Sequence, residues 1–272
     1  MRKVDSDGTY IYDDEPENKR KKAILIIIIL LLFLICAVGV VYLVWNFYNL
    51  NKGQDFYSDI LSSYSDVSQE ANEPQDTRPE NPIDFAPLQQ RNSDVYAWIV
   101  VPNTKINYPI VQNEQTDFYL RRSLDKDYLF AGCIYTNKVN SKDFSDPVTV
   151  VYGHNMRDDT MFCMLHEFES KKFFDANKYF YIYTPDRKLT YEIVSALKYD
   201  NRRITKAYDF SDPEQLKSYH YSILNPKFEL FNSRNIELTL DTKLVTLSTC
   251  VANRPNYRYL VNGVLIKDES TR

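Results

Sequence analysis

Apolar positions along this chain fall into three regimes. From Ala23 to Trp45 run 23 residues without a charge. As a helix rising about 1.5 Å per residue, such a run reaches about 35 Å, enough to cross a hydrocarbon core of roughly 30 Å, and it predicts a membrane span. Beyond it Phe56, Ile60, Tyr64 and Val67 recur at steps of three and four, which predicts a short amphipathic helix. Residues 69–82 hold three prolines and almost nothing apolar, and read as an extended linker. From Ile83 onward the pattern turns to short runs rich in Val, Ile, Tyr and Thr with turn residues between them, predicting strands at 96–101, 106–112, 131–136, 147–152, 179–184, 189–197, 243–250 and 258–266. Helices are expected after Asp84, over Thr160 to Phe168 with Asp158 or Asp159 as cap, and over Pro213 to Leu224, where Ser211 or Asp212 precedes a first-turn proline. About eight short strands with few helices fit a closed or partly closed barrel better than an alternating parallel sheet.

Composition supports this reading. Only 6 Gly stand against 22 Tyr and 15 Phe, which favours aromatic-rich strands over a low-complexity chain. Charge then orients the span. Arg2, Lys3, Lys19, Arg20, Lys21 and Lys22 precede it, and the nearest basic residue after it is Lys52. An excess of Lys and Arg marks the cytoplasmic side, so residues 1–22 are expected inside, 23–45 as the anchor, 46–82 as an extracellular stalk and linker, and 83–272 as the folded extracellular domain. Cleavage of the apolar run as a signal peptide is the alternative; Ala37-Val38-Gly39 offers a small-x-small pattern, but Val40 to Trp45 continues the run past it. Residues 1–22 carry six basic and six acidic residues, so the rest of the chain holds the whole net charge of −4. Such a mildly acidic surface gives no electrostatic footprint for nucleic acid.

Cys36 lies in the apolar run, which leaves Cys133, Cys163 and Cys250 outside. An odd number with no C-x-x-C pair is a poor disulfide framework and a poor zinc site. In Thr246-Leu247-Ser248-Thr249-Cys250 an extended strand puts Thr246, Ser248 and Cys250 on one face, with the thiol at the strand end. The segment 251–257 contains Asn253, Pro255 and Asn256, and Arg258 opens the next apolar run, so a hairpin is expected to bring Arg258 beside Cys250. A guanidinium there favours the thiolate and can bind the oxyanion formed when a carbonyl is attacked. The plain alternative is a surface Arg that happens to follow a core Cys. His154 follows Gly153 at the end of a β run, on a loop leading to a helix. His166, three residues after Cys163, has no further ligand beside it for a metal, and His220 lies in a Tyr-rich helix. A strand-end Cys, a neighbouring Arg and a loop His form a coherent acyl-transfer set that needs no metal or cofactor.

With these motifs in place, residues 83–272 resemble the sortases of Gram-positive bacteria, class B in particular. The resemblance rests on Thr246 to Cys250, on Arg258 eight positions later, and on Tyr152-Gly153-His154-Asn155-Met156 followed by Met161-Phe162. Trp98-Ile99, Ile106 to Gln112 and Tyr119-Leu120 add to it. It implies an eight-stranded sortase β-barrel and a transpeptidase that cleaves the C-terminal sorting signal of surface proteins, an LPxTG- or NPxTN-like pentapeptide, after its Thr. Cys250 is then the nucleophile, His154 the proton-transfer partner and Arg258 the oxyanion stabiliser. The acceptor is an amine of the peptidoglycan precursor lipid II or of a pilin. The resemblance places Leu120 and Ser248 on the signal groove, with Thr249 beside them, and Thr116 where Asn stands in related enzymes. Class B members often carry an acidic residue just after the Cys; here Val251 and Ala252 follow, so the His-Cys-Arg scheme is expected rather than an Asp-assisted triad. Two rivals share the framework: a cysteine peptidase that hydrolyses its thioester, and a catalytically silent surface-binding domain.

Overall fold

The structure, a computed structural model, describes residues 3–4, 7, 10–11, 15–64, 78–226 and 231–272. Val67 and the stretch 69–77 of the expected linker lie outside them. The chain divides into two units, residues 1–49 and 50–272. Helix α1, Glu15–Tyr64, supplies most of the first. Every large apolar side chain from Ile24 to Trp45 is exposed, and among the described residues this is the one helix long and apolar enough to cross a membrane.

The second unit is a barrel. Its strands are β1 (Val95–Val100), β2 (Asn107–Asn113), β3 (Ile134–Asn137), β4 (Val148–Tyr152), β5 (Tyr179–Thr184), β6 (Arg187–Asp200), β7 (Phe231–Ser233), β8 (Leu244–Val251) and β9 (Arg254–Ser270). Hydrogen bonding runs β9-β8-β4-β3-β2-β1-β5-β6, and β9 pairs again with β6. Eight strands thus close on themselves, with no free edge among the eight; the short β7 is added outside β6. The pairs β2–β3 and β4–β8 are parallel, so the C-terminal ends of β4 and β8 lie side by side. That single topological fact puts residues 153–154 next to residues 249–250.

All eight strands expected from the alternation are present, Tyr179–Thr184 with the expected ends and the others with shifted ones. β3 starts at Ile134 rather than 131, because Gly132 takes a left-handed φ of 60° and a Cβ there would overlap the Leu120 carbonyl. β6 and β9 outrun their apolar stretches, since each spans the full height of the barrel to close it. Asp84 and Asp212 cap helices α2 (Phe85–Arg91) and α5 (Pro213–Leu224) through side-chain bonds to Ala86 N and Glu214 N. The expected helix over 160–168 is corrected to a 3-10 segment, Cys163–Glu169. Its first residues are diverted: Asp159 and Met161 have positive φ, and Met161 N donates to Tyr108 Oη at 3.0 Å. Two further short helices, α3 (Lys171–Ala176) and α4 (Ile204–Ala207), lie on the barrel's connections.

The barrel interior is filled by Ile99, Ile110, Val151, Phe162, Phe180, Tyr191, Leu247 and Val261 among others. The end of α1 belongs to this packing: Tyr57 is 3% exposed and Ile60 is fully buried beside Leu88, Trp98 and Cys133, while Tyr57 Oη donates to Gly132 O at 2.6 Å. Residues 50–64, read from the sequence as stalk, are therefore part of the folded unit. Ile60→Ala leaves a cavity costing about 2–5 kcal/mol, and a melting temperature roughly 5–15 °C lower is expected in calorimetry of the detergent-solubilised chain. An unchanged melting temperature would mean this helix does not dock.

Candidate active site

Three neighbouring strand ends carry the groups singled out above. Cys250 is the penultimate residue of β8 and is exposed, the last of a run whose six preceding residues are buried. On the antiparallel side it faces Arg258 of β9 directly in register. On the parallel side Ser248 pairs with Tyr152, and Gly153 N donates to Ser248 O at 3.1 Å, so the loop carrying His154 leaves β4 level with the Cys250 strand end. Gly153 is needed at that exit: a Cβ there would overlap Ile134 and the Phe162 ring.

Each group has a defined electrostatic setting. His154 is half-buried, and its Nε2 lies 2.7 Å from the Leu120 carbonyl. A carbonyl can only accept, so Nε2 carries the hydrogen and Nδ1 holds the lone pair of the neutral ring. Burial, with the Arg121 charge adding to it, holds the ring's pKa below its ordinary value despite the Leu120 bond. Arg258 donates from Nη1 to the carbonyls of Pro255 and Tyr257 at 3.1 and 2.9 Å. Among the described residues no carboxylate lies within ion-pair distance of it, whereas the other two cleft arginines are paired, Arg202 with Asp200 and Arg203 with Asp117. Arg258 is the cleft cation left for a ligand.

The four cysteines are all free. Cys133 is buried, and desolvation pushes its thiol up to about 12. Cys163 is half-buried and raised by burial and by Asp159 and Asp158. Thiolate chemistry is disfavoured at both, which leaves Cys250 as the accessible thiol outside the apolar helix.

A cleft of about 210 Å³ opens over Cys250, His154 and Arg258. Of the expected groove residues, Leu120, Ser248 and Thr249 line it; Thr116 is exposed in the turn before the 3-10 segment Phe118–Arg121 and does not. Its neighbour Asp117 does, holding Arg203, Tyr135 Oη and Asn137 Nδ2. Sequence reading passed over Asp117 and Arg203, which are 86 residues apart and meet only through the fold. It also gave no role to Asn155, whose Nδ2 donates to Cys250 O at 2.9 Å, nor any to His166 beyond a discarded metal site, although His166 Nε2 lies 3.0 Å from the same oxygen. The arrangement suits covalent acyl transfer: an exposed thiol, a ring nitrogen able to take a proton, and a guanidinium with N–H groups to spare beyond its two carbonyl bonds, around one opening.

Comparison with known proteins gives the same direction. Residues 99–266 match the sortase domain family. Sortase B of Listeria monocytogenes is 28% identical over 187 residues, covering 66% of this chain and 72% of that protein. The crystal structure of Clostridium perfringens sortase B superposes with a TM-score of 0.59 at 32% identity, covering 68% of this chain and 100% of that one. A Streptococcus pyogenes class B sortase involved in pilus biogenesis superposes with a TM-score of 0.58 at 30% identity, covering 67% and 97%. The eight-stranded closed barrel is the fold these proteins share. The chain therefore belongs to the sortase family of cysteine transpeptidases, in its class B branch.

Proposed function

We propose that this protein is anchored in the membrane by residues 23–45, with residues 1–22 in the cytoplasm, and that its extracellular domain, residues 83–272 with the packed helix ahead of them, joins surface proteins to an amine. The observation that carries this reading is the in-register pairing of exposed Cys250 with Arg258 beside the His154 loop, all on one cleft.

In the proposed reaction His154 Nδ1 takes the Cys250 proton, and the thiolate attacks the carbonyl carbon of the Thr in an LPxTG- or NPxTN-like sorting signal. Arg258 and the Val251 N–H hold the oxyanion. The Thr–Gly or Thr–Asn bond breaks, His154 gives its proton to the departing amine, and a thioester remains on Cys250. An amine of lipid II or of a pilin then attacks, its proton passes to His154, the C–S bond breaks, and the thiolate is restored. A pilin amine is supported by the pilus role of the Streptococcus pyogenes relative. Leu120, Ser248 and Thr249 are the proposed contacts to the signal; Thr116, which does not line the cleft, is not among them.

The test uses the detergent-solubilised chain with quenched LPxTG, NPxTN and related pentapeptides, with and without an amine acceptor, read by mass spectrometry. Cleavage after Thr with an amine-transferred product is expected. Hydrolysed product alone, at saturating amine, would replace transfer with the peptidase reading. A broad library left uncut, with Cys250 unmodified, would leave a surface-binding domain.

A further inference from the structure

Behind Cys250 lies a polar cluster that the reaction scheme leaves unused. The Cys250 carbonyl accepts from Asn155 Nδ2 at 2.9 Å and lies 3.0 Å from His166 Nε2, and those two nitrogens are 3.1 Å apart. On its far side His166 Nδ1 donates to Glu169 Oε1 at 2.6 Å. The ring plane is fixed by stacking on buried Tyr259, with centroids 4.8 Å apart. Asn155 directly follows His154, and the loop they share is closed by Phe162 N donating to His154 O at 2.9 Å. One chain of contacts thus runs from the His154 loop, through the Cys250 carbonyl, to the 3-10 segment holding His166 and Glu169.

The cluster holds that carbonyl in either charge state of the ring. A neutral ring with its hydrogen on Nδ1 accepts at Nε2 from one Asn155 N–H, while the other Asn155 N–H reaches the Cys250 oxygen. A charged ring donates to Glu169 and to the Cys250 oxygen at once. Such a grip is needed here because the β8–β9 register shifts between Cys250 and Val251, so the strand ladder does not by itself fix this peptide. A trans peptide carries its C=O and N–H on opposite sides, so fixing the Cys250 oxygen also fixes where the Val251 N–H points.

We propose that Asn155, His166 and Glu169 are positioning residues that hold the Cys250–Val251 peptide, and with it the oxyanion-binding N–H, in its working orientation. This rests on the reading of Cys250 as nucleophile.

The test compares His166→Phe and His166→Gln in the full detergent-solubilised chain, with Cys250→Ala alongside, using a cleavable signal peptide and an amine. Phe keeps the stacking on Tyr259 and removes the ring's polar contacts to Glu169, Asn155 and the Cys250 carbonyl; Gln returns an amide that can accept from Asn155 or donate to that carbonyl. His166→Phe is expected to lower kcat about tenfold with KM within about twofold, and His166→Gln to recover most of the loss. Should His166→Phe not fold, Glu169→Gln replaces it, with kcat expected about threefold lower. Parental kcat in the variant used, a loss confined to KM, or a His166→Phe loss that Gln does not recover would overturn the positioning role. If Cys250→Ala keeps turning over, the nucleophile reading falls and this role with it; if Cys250→Ala is inactive while kcat of the His166 or Glu169 variant is parental, the positioning role alone falls.

Discussion

Cys250→Ala is expected to abolish both cleavage and transfer, a loss of roughly 10³-fold or more, because among the described residues Cys250 is the one thiol on the cleft, and the buried Ser248 and Thr249 hydroxyls are far weaker nucleophiles. The residue is exposed at a strand end, so removing its sulfur costs little packing, and stability should stay within about 0.5 kcal/mol of the parent. That separation matters, since a core cysteine would fail in both respects. Cys163→Ala provides the contrast: it lines no part of the cleft, its thiol is held in the protonated form by burial and by Asp159, and its removal should leave kcat unchanged. Mass spectrometry of the parent with a poor acceptor should find the acyl adduct on Cys250 and on neither Cys133 nor Cys163. An adduct elsewhere, or turnover surviving Cys250→Ala, would remove the nucleophile from this reading.

Local patterns carried the strands, the caps and the hairpin. Alternation over 243–250 and 258–266 with Asn and Pro between them was enough to set Cys250 opposite Arg258, and the register agrees, although the turn tightens to Ala252–Asn253 and β9 begins at Arg254. Asp84, and a choice between Ser211 and Asp212 that the structure resolves to Asp212, were legible because a capping side chain acts within two residues of itself. What stayed hidden depends on distant parts of the chain. An apolar stripe at Phe56, Ile60 and Tyr64 looks the same whether it docks or stands alone, and only the barrel surface around Trp98 and Leu88 decides it. Thr160 to Phe168 has helical spacing, yet a bond from Met161 N to Tyr108, 53 residues away, redirects its start. The grip of Asn155 and His166 on Cys250 joins residues 95 and 84 positions apart, beyond the reach of any local pattern.

Arg258→Ala is expected to lower kcat by about 10²–10³-fold with a much smaller change in KM, the signature of a donor used in the transition state and not in substrate binding. The register fixes the backbone of Arg258 opposite Cys250, and its two carbonyl bonds fix the guanidinium plane while leaving further N–H groups uncommitted. Arg202 and Arg203 cannot take over, because each is already neutralised by a carboxylate. Arg258→Lys separates charge from geometry. An ammonium supplies the same charge as a compact point and lacks the planar fork, so it cannot hold two carbonyls and present donors to an oxyanion in one fixed plane. Lys is therefore expected to recover less than a tenth of the lost kcat, on the order set by losing one well-placed donor. Parental kcat in Arg258→Lys would reduce the role to charge alone, and a loss under about threefold in Arg258→Ala would leave the oxyanion to backbone donors.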